Sequence, residues 1–329
     1  MSSFDSHPRT LLFVSVSVIA LLAASPEVRG ADLPRAPMFA KAPVAVPTDR
    51  LAVWVEGSAF STGGSDVWFG DPTDVGRVKW GREGAVGFDY RFAVTQWHVS
   101  AQFRYGSAAA NAEAFSRRGT FLVSGSSTTK KFPALGTGSF SSRETHWLAD
   151  FAAGRDIGLG VGQTQLKFGV RIADLQAKTT GEGSADVPLT LRFHGPVAVR
   201  TFSLDPNSRF TGAGPRAGLE GMVPLGGAWS FDWLGGAALL FGSRSLDVGV
   251  AGSAANFGIV GVDVSDNATL FNVDAQAGLS YWFAPNAKLT GSYRFDGYWG
   301  ELKTINSAGA VANADRLFYG PTLRFTLQL

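Results

Sequence analysis

The chain has no cysteine, little charge, and one apolar uncharged run near its N-terminus. Each lack excludes something. Without cysteine no disulfide framework exists, and a protein crossing the oxidising periplasm avoids stray disulfides. Charged residues make up 17% of the chain, against about 25% in ordinary soluble domains. The net charge of +2 gives no reason to expect a nucleic-acid partner. The uncharged run covers residues 11–24, after His7 and Arg9. It has the length of a signal-peptide core and is short for a membrane helix. Past it, the most apolar stretch is 234–242, nine residues with three glycines. A mature chain seated in a membrane must therefore cross it as a closed barrel, because only helices and barrels satisfy every backbone group in lipid.

What is present agrees. Glycine is abundant at 41 residues, and phenylalanine at 25. Each interior glycine weakens a helix by about 1 kcal/mol relative to alanine, so this composition speaks against a helical protein. Residues 1–30 read as a signal peptide, cleaved after Gly30 and before Ala31-Asp32. Cleavage removes Arg9, Arg29, Asp5 and Glu27, which leaves the net charge unchanged. Residues 31–50 hold four prolines and little periodicity, and read as an extended linker. Residues 51–329 are the expected transmembrane barrel.

From residue 51 the dominant signal is period two, which sends successive side chains to opposite faces of a strand. In 97–105, Trp97, Val99, Ala101, Phe103 and Tyr105 share one face, while His98, Ser100, Gln102 and Arg104 share the other. The same alternation marks 53–60, 83–92, 145–155, 164–175, 212–223, 229–241, 271–283, 288–298 and 316–329. That makes ten strands, each read as long enough for the roughly 9–11 residues a tilted strand needs to cross a bilayer. Aromatic residues gather towards strand ends, where the membrane-water interface suits their rings. The connections alternate between short (93–95, 156–162, 224–228, 284–287) and long (about 61–80, 106–143, 177–210, 243–268, 299–314). Short periplasmic turns and long external loops are the bacterial barrel pattern. Residues 187–203 and 247–265 hold further hairpin signals, read as extensions above the membrane; as spanning strands they would raise the count to twelve.

Three segments resemble a known family. Gly214-Pro215-Arg216-Ala217-Gly218-Leu219-Glu220-Gly221, followed by Pro224-Leu225-Gly226, is similar to the Legionella-type major outer-membrane proteins, a family of pore-forming barrels. Phe168-Gly169-Val170-Arg171-Ile172-Ala173-Asp174-Leu175 and Leu289-Thr290-Gly291-Ser292-Tyr293-Arg294 resemble other strands of that family. The chain departs from the usual barrel pattern at its terminal Leu329, where such strands commonly end in phenylalanine. The resemblance covers about 51–329 and implies a passive pore with no cofactor.

Strand parity assigns the polar faces to the interior. Expected lumen-lining residues are Arg91, Arg104, Lys167, Arg171, Arg216, Glu220, Asp274, Arg294, Asp296 and Arg324. With the others on those faces the balance is nine basic to eight acidic side chains. Two readings stay open. One is a water-filled channel whose charges set ion preference. The other is an ion-pair network filling a narrow barrel, with function left to structural or adhesive surface loops. A catalytic reading is weaker: His98 and Ser100 share a face, as in outer-membrane lipid A deacylases, but that face is the interior. His146 and His194 fall near or in external loops and form no spaced metal cluster with His98, so no metal site and no enzyme are expected. Loop 106–143 is read as solvated. The expected partners are outer-membrane lipids and lipopolysaccharide, the barrel assembly machinery, and ions or small hydrophilic solutes, with a homo-oligomer left open. The expected location is the outer membrane, reached through the periplasm.

Overall fold

Alternating sequence becomes long antiparallel strand. The computed structural model describes residues 50–64, 78–93, 95–124, 129–158, 163–187, 198–252, 262–305 and 311–329. The signal peptide and most of the proline-rich linker lie outside the described residues. Ten strands follow in order: β1 (Arg50–Gly64), β2 (Trp80–Arg91), β3 (Trp97–Ser124), β4 (Thr129–Asp156) and β5 (Gln163–Val187). Then come β6 (Ala198–Gly226), β7 (Trp229–Gly252), β8 (Val262–Ala284), β9 (Ala287–Ile305) and β10 (Val311–Gln328). Each pairs with its sequence neighbours, and β1 pairs with β10, so the sheet closes. At the seam Leu329 N donates to Leu51 O (2.7 Å) and Leu51 N donates back to Leu329 O (3.3 Å). Closure leaves no unpaired edge, which lipid would not tolerate.

Among the described residues the count is ten, in a closed ring, and the alternative of twelve is corrected. β5 runs on to Val187 and β6 begins at Ala198; β7 runs to Gly252 and β8 begins at Val262. The described parts of the two extra hairpin signals (187, 198–203, 247–252 and 262–265) are thus outer continuations of spanning strands, and the rest of each lies outside the described residues. Loop 106–143 is corrected as well. Most of it is strand: β3 and β4 pair from Trp97↔Arg155 out to Ser124↔Thr129. The 28 residues of β3 span about 90 Å of extended chain. Even tilted by 35–45° this far exceeds the ~30 Å hydrocarbon layer.

The short turns hold where expected. The β6–β7 turn uses Gly226 (φ 107°) and Gly227 (φ 57°), a left-handed geometry that disfavours side chains. Outward positions form the apolar band: Phe103, Phe151, Phe168, Phe241, Tyr293 and Leu323 are all exposed. Near the short turns this band becomes aromatic, with Trp229 and Tyr281 in contact at 4.9 Å. Such a face has water as its wrong solvent and lipid as its right one.

Candidate functional site

The inward faces build three strata. At the end with the short turns a cavity of about 420 Å³ opens, lined from Arg50 on β1 through Lys167 on β5 and Glu220 on β6 to Lys288 on β9. Lys167 Nζ bridges Asp89 (3.0 Å) and Glu220 (2.5 Å). Arg91 reaches Asp156 and Asp89, each at 3.5 Å. Lys288 pairs with Asp232, whose other partners include the Ser280 hydroxyl at 2.8 Å. Two indoles face this space under cations: Arg324 stands 4.3 Å over Trp54 and Lys288 stands 5.4 Å over Trp282.

Above the cavity lies a layer of buried ion pairs. Arg171 has no exposed side-chain surface. Its Nε and Nη2 donate to the two oxygens of Asp150 (2.6 and 2.7 Å), while Nη1 donates to Asp274 (2.8 Å) and to Asn272. Arg216 Nη2 also donates to Asp274 (2.7 Å). On the other side Arg104 donates to Asp296 at 2.9 and 3.3 Å. Arg294 joins Asp296 (3.0 Å), Glu56 (2.6 Å) and Glu83. Arg324 completes the chain on Glu56 at 2.8 Å. Five arginines thus meet five carboxylates. Arg104 sits on β3 and Asp296 on β9, four positions apart around a ring of ten strands, so their bond crosses the bore.

The third stratum is apolar, and sequence reading missed it. Phe60, Leu148, Leu175, Phe210, Leu240, Leu270, Tyr298 and Phe318 pack in one buried cluster. They come from eight different strands and occupy inward positions. Phe60 and Phe318 meet edge to face at 5.5 Å. His146 links this stratum to the one below: its ring lies 4.6 Å from Phe318, and its Nε2 is hydrogen-bonded to Glu83 at 2.7 Å. The expectation of His146 at an external loop is therefore corrected; it is 3% exposed inside the barrel. Its inward parity with Asp150 was the signal available. Beyond the cluster, outside the membrane band, Arg244 (2.7 Å) and Lys303 (3.0 Å) clasp Asp266. The hydrogen bonds from Arg244 and Lys303 pull the Asp266 carboxyl down to about 2.

The structure places all ten sequence-assigned lumen residues on inward faces: Arg104, Arg171, Arg216, Asp274, Arg294, Asp296 and Arg324 in the ion-pair layer, and Arg91, Lys167 and Glu220 around the cavity. His98 is 1% exposed within the bore, 3.7 Å from Asp89. Its imidazole fills the place a side chain at Gly154 would need. Among the described residues no His, Asp and Glu cluster has the form of a metal site.

A family model described as the Legionella pneumophila major outer membrane protein precursor matches residues 70–329. No curated protein matches the chain. Among solved structures it is similar to the outer membrane protease OmpT of Escherichia coli, at 8% identity and a TM-score of 0.35, over 86% of this chain and 97% of that one. It is also similar to the translocator domain of the autotransporter NalP of Neisseria meningitidis (10% identity, TM-score 0.30, 84% and 88% covered). A third is the toluene transporter TbuX of Ralstonia pickettii (9% identity, TM-score 0.26, 85% and 89% covered). Likeness this low says nothing of activity.

Proposed function

The chain belongs to the Legionella pneumophila major outer membrane protein family, and its fold and family set it in the outer membrane; we propose that it is a narrow pore for ions and small hydrophilic solutes, held shut in this state. The observation that carries this reading is the layer of exchangeable ion pairs lying across a polar bore. Buried ion pairs rarely add stability over a well-packed apolar core, because desolvation offsets their attraction. A barrel meant only to be filled gains little from ten charges at its waist. A path for ions gains from them, since a permeating ion or water can replace one partner of a pair without leaving a bare charge. The cavity supplies a wet entrance on the side of the short turns.

A second reading has its own support. The apolar stratum above the ion pairs favours a permanently filled barrel, whose role would rest with its outer strands. Planar-bilayer recording of protein purified from outer membranes separates the two. The pore reading expects small, discrete conductance steps that are rare at rest. Silence at high protein and salt overturns it and leaves the filled barrel standing. Catalysis is not part of the proposal, because His98 is buried in the bore, away from the lipid face.

A further inference from the structure

The lipid-facing side of β4 is bracketed by two arginines. Between Arg155 and Arg143 its outward positions are Ala153, Phe151, Ala149, Trp147 and Thr145. Both arginines are exposed. Twelve residues separate them, about 40 Å of strand. Tilted by about 40°, that length covers about 30 Å along the membrane normal, the thickness of the hydrocarbon layer. Arg155 therefore stands at the periplasmic boundary, beside the short turns, and Arg143 at the outer one, level with lipid headgroups. Beyond Arg143 the outward residues turn polar, with Ser141 and Ser139.

At that outer level the sheet sets like charges side by side. Arg143 is paired in register with Lys178 on β5, and both side chains are exposed. Directly opposed like charges destabilise a sheet. Neither cation has an ion pair or a side-chain hydrogen bond among the described residues. The next cation, Arg209 on β6, is already neutralised: Asp174 accepts from its Nε at 2.9 Å and from the Thr211 hydroxyl at 2.6 Å. Asp205 lies two residues beyond Asn207, the register partner of Lys178, and bonds to neither cation. Towards the membrane the outward residues Thr145, Gln176 and Thr211 are polar. Below them a furrow descends along β6. Its floor is Ala213, Pro215 and Ala217, and its exposed walls are Val170 and Phe168 on β5 and Leu239 and Phe241 on β7. On the far side Asp247 and Asp263 meet in register between β7 and β8, both exposed. An anionic headgroup is thus drawn to β4 and β5 and repelled from β7 and β8. We propose that this face docks one lipid A unit of the outer leaflet, with a phosphate held by Arg143 and Lys178 and an acyl chain in the β6 furrow. Arginine grips phosphate with a two-pronged fork and lysine as a point charge. A phosphate between the two cations replaces their repulsion with shared attraction. The site lies on the outside of the barrel, apart from the pore reading, and stands whether or not the bore conducts.

The test uses full-length protein purified from outer membranes in mild detergent. It is titrated with diphosphoryl lipid A, dephosphorylated lipid A and phosphatidylglycerol, and bound lipid is counted by native mass spectrometry. Diphosphoryl lipid A should bind at least about ten-fold more tightly than either other lipid, a difference of roughly 1.4 kcal/mol. The double variant Arg143→Gln, Lys178→Gln should weaken it by about ten-fold or more. Arg155→Gln, at the opposite boundary, should leave it unchanged. Ala213→Phe fills the furrow and should weaken lipid A with both cations intact. Retained heat-modifiable mobility on gels shows that each variant is folded. Native affinity in the double variant overturns the proposal, as does an equal loss in Arg155→Gln, which would mark a general charge effect. Phosphatidylglycerol bound as tightly as lipid A overturns the choice of lipid, and native affinity in Ala213→Phe overturns the furrow. A barrel that conducts yet binds no lipid A loses this site and keeps the pore reading.

Discussion

Arg171 shows what a single residue does in this interior. Four hydrogen bonds from its guanidinium reach two carboxylates and an amide, and none of its side chain reaches solvent. Replacing Arg171 with alanine leaves Asp150 and Asp274 facing one another with less countercharge. Breaking one partner out of a buried set typically costs about 3–5 kcal/mol. The urea midpoint of Arg171→Ala in lipid vesicles should fall accordingly. Gly154 is a residue-scale constraint of another kind, since a methyl group there would overlap the His98 ring. Gly154→Ala should displace that imidazole, visible as a shifted histidine resonance in an otherwise native spectrum. At the outer clasp, Asp266 has a folded pKa depressed to about 2. Because it is depressed, the clasp is intact above the ordinary aspartate range and is lost only as pH falls through about 2. A carboxyl NMR titration should place its midpoint there. A midpoint near the ordinary aspartate value of about 3.9 would mean the clasp is not formed.

At the scale of strands, the two prolines inside the spanning region explain how this sheet tolerates them. Proline cannot donate to a ladder and is normally kept to edges or bulges. Pro321 on β10 pairs with Tyr293 of β9, yet the β10 ladder to β1 skips from Thr322↔Ser58 to Tyr319↔Ser61. Pro215 on β6 pairs with Val170 of β5, and the ladder to β7 likewise skips from Ala213↔Phe241 to Arg216↔Ala238. Each proline sits at a gap in one ladder, on the side where its missing N–H would have donated, while the pairing on its other side is kept. The inner faces of β6 and β8 carry the apolar closure through Phe210 and Leu270, which are 0% and 1% exposed. If this stratum is the barrier to ions, Phe210→Ser or Leu270→Ser should wet it and raise the open fraction in bilayer recordings. Unchanged currents in both would place the barrier in the ion-pair layer instead. Truncation also has a cost in stability: Leu240→Ala should destabilise by about 2–5 kcal/mol, the range for large-to-small changes in a packed core.

For the whole molecule, ten strands, their order and their inward faces were legible because the bilayer imposes a strong period-two code. Lipid demands an apolar residue at every second position, and ladder satisfaction demands closure. The code fades above the membrane, where both faces of a strand meet water. That is why 106–143 read as loop although β3 and β4 continue through most of it. It is silent on partners across the bore, too. Arg104 and Asp296 are 192 residues apart, and nothing local pairs them. Inward leucines and phenylalanines such as Leu148, Leu175, Phe210 and Phe318 look from the sequence like breaks in a polar face. Only closure brings them to one level, where they pack as a core. The sequence by itself thus determined that the chain forms a barrel and which side of each strand faces in, since both follow from nearest-neighbour alternation against lipid. The tertiary structure alone decided how that interior is stratified into a polar vestibule, an ion-pair layer and an apolar seal, because each stratum is assembled from single residues of strands that meet only when the sheet closes.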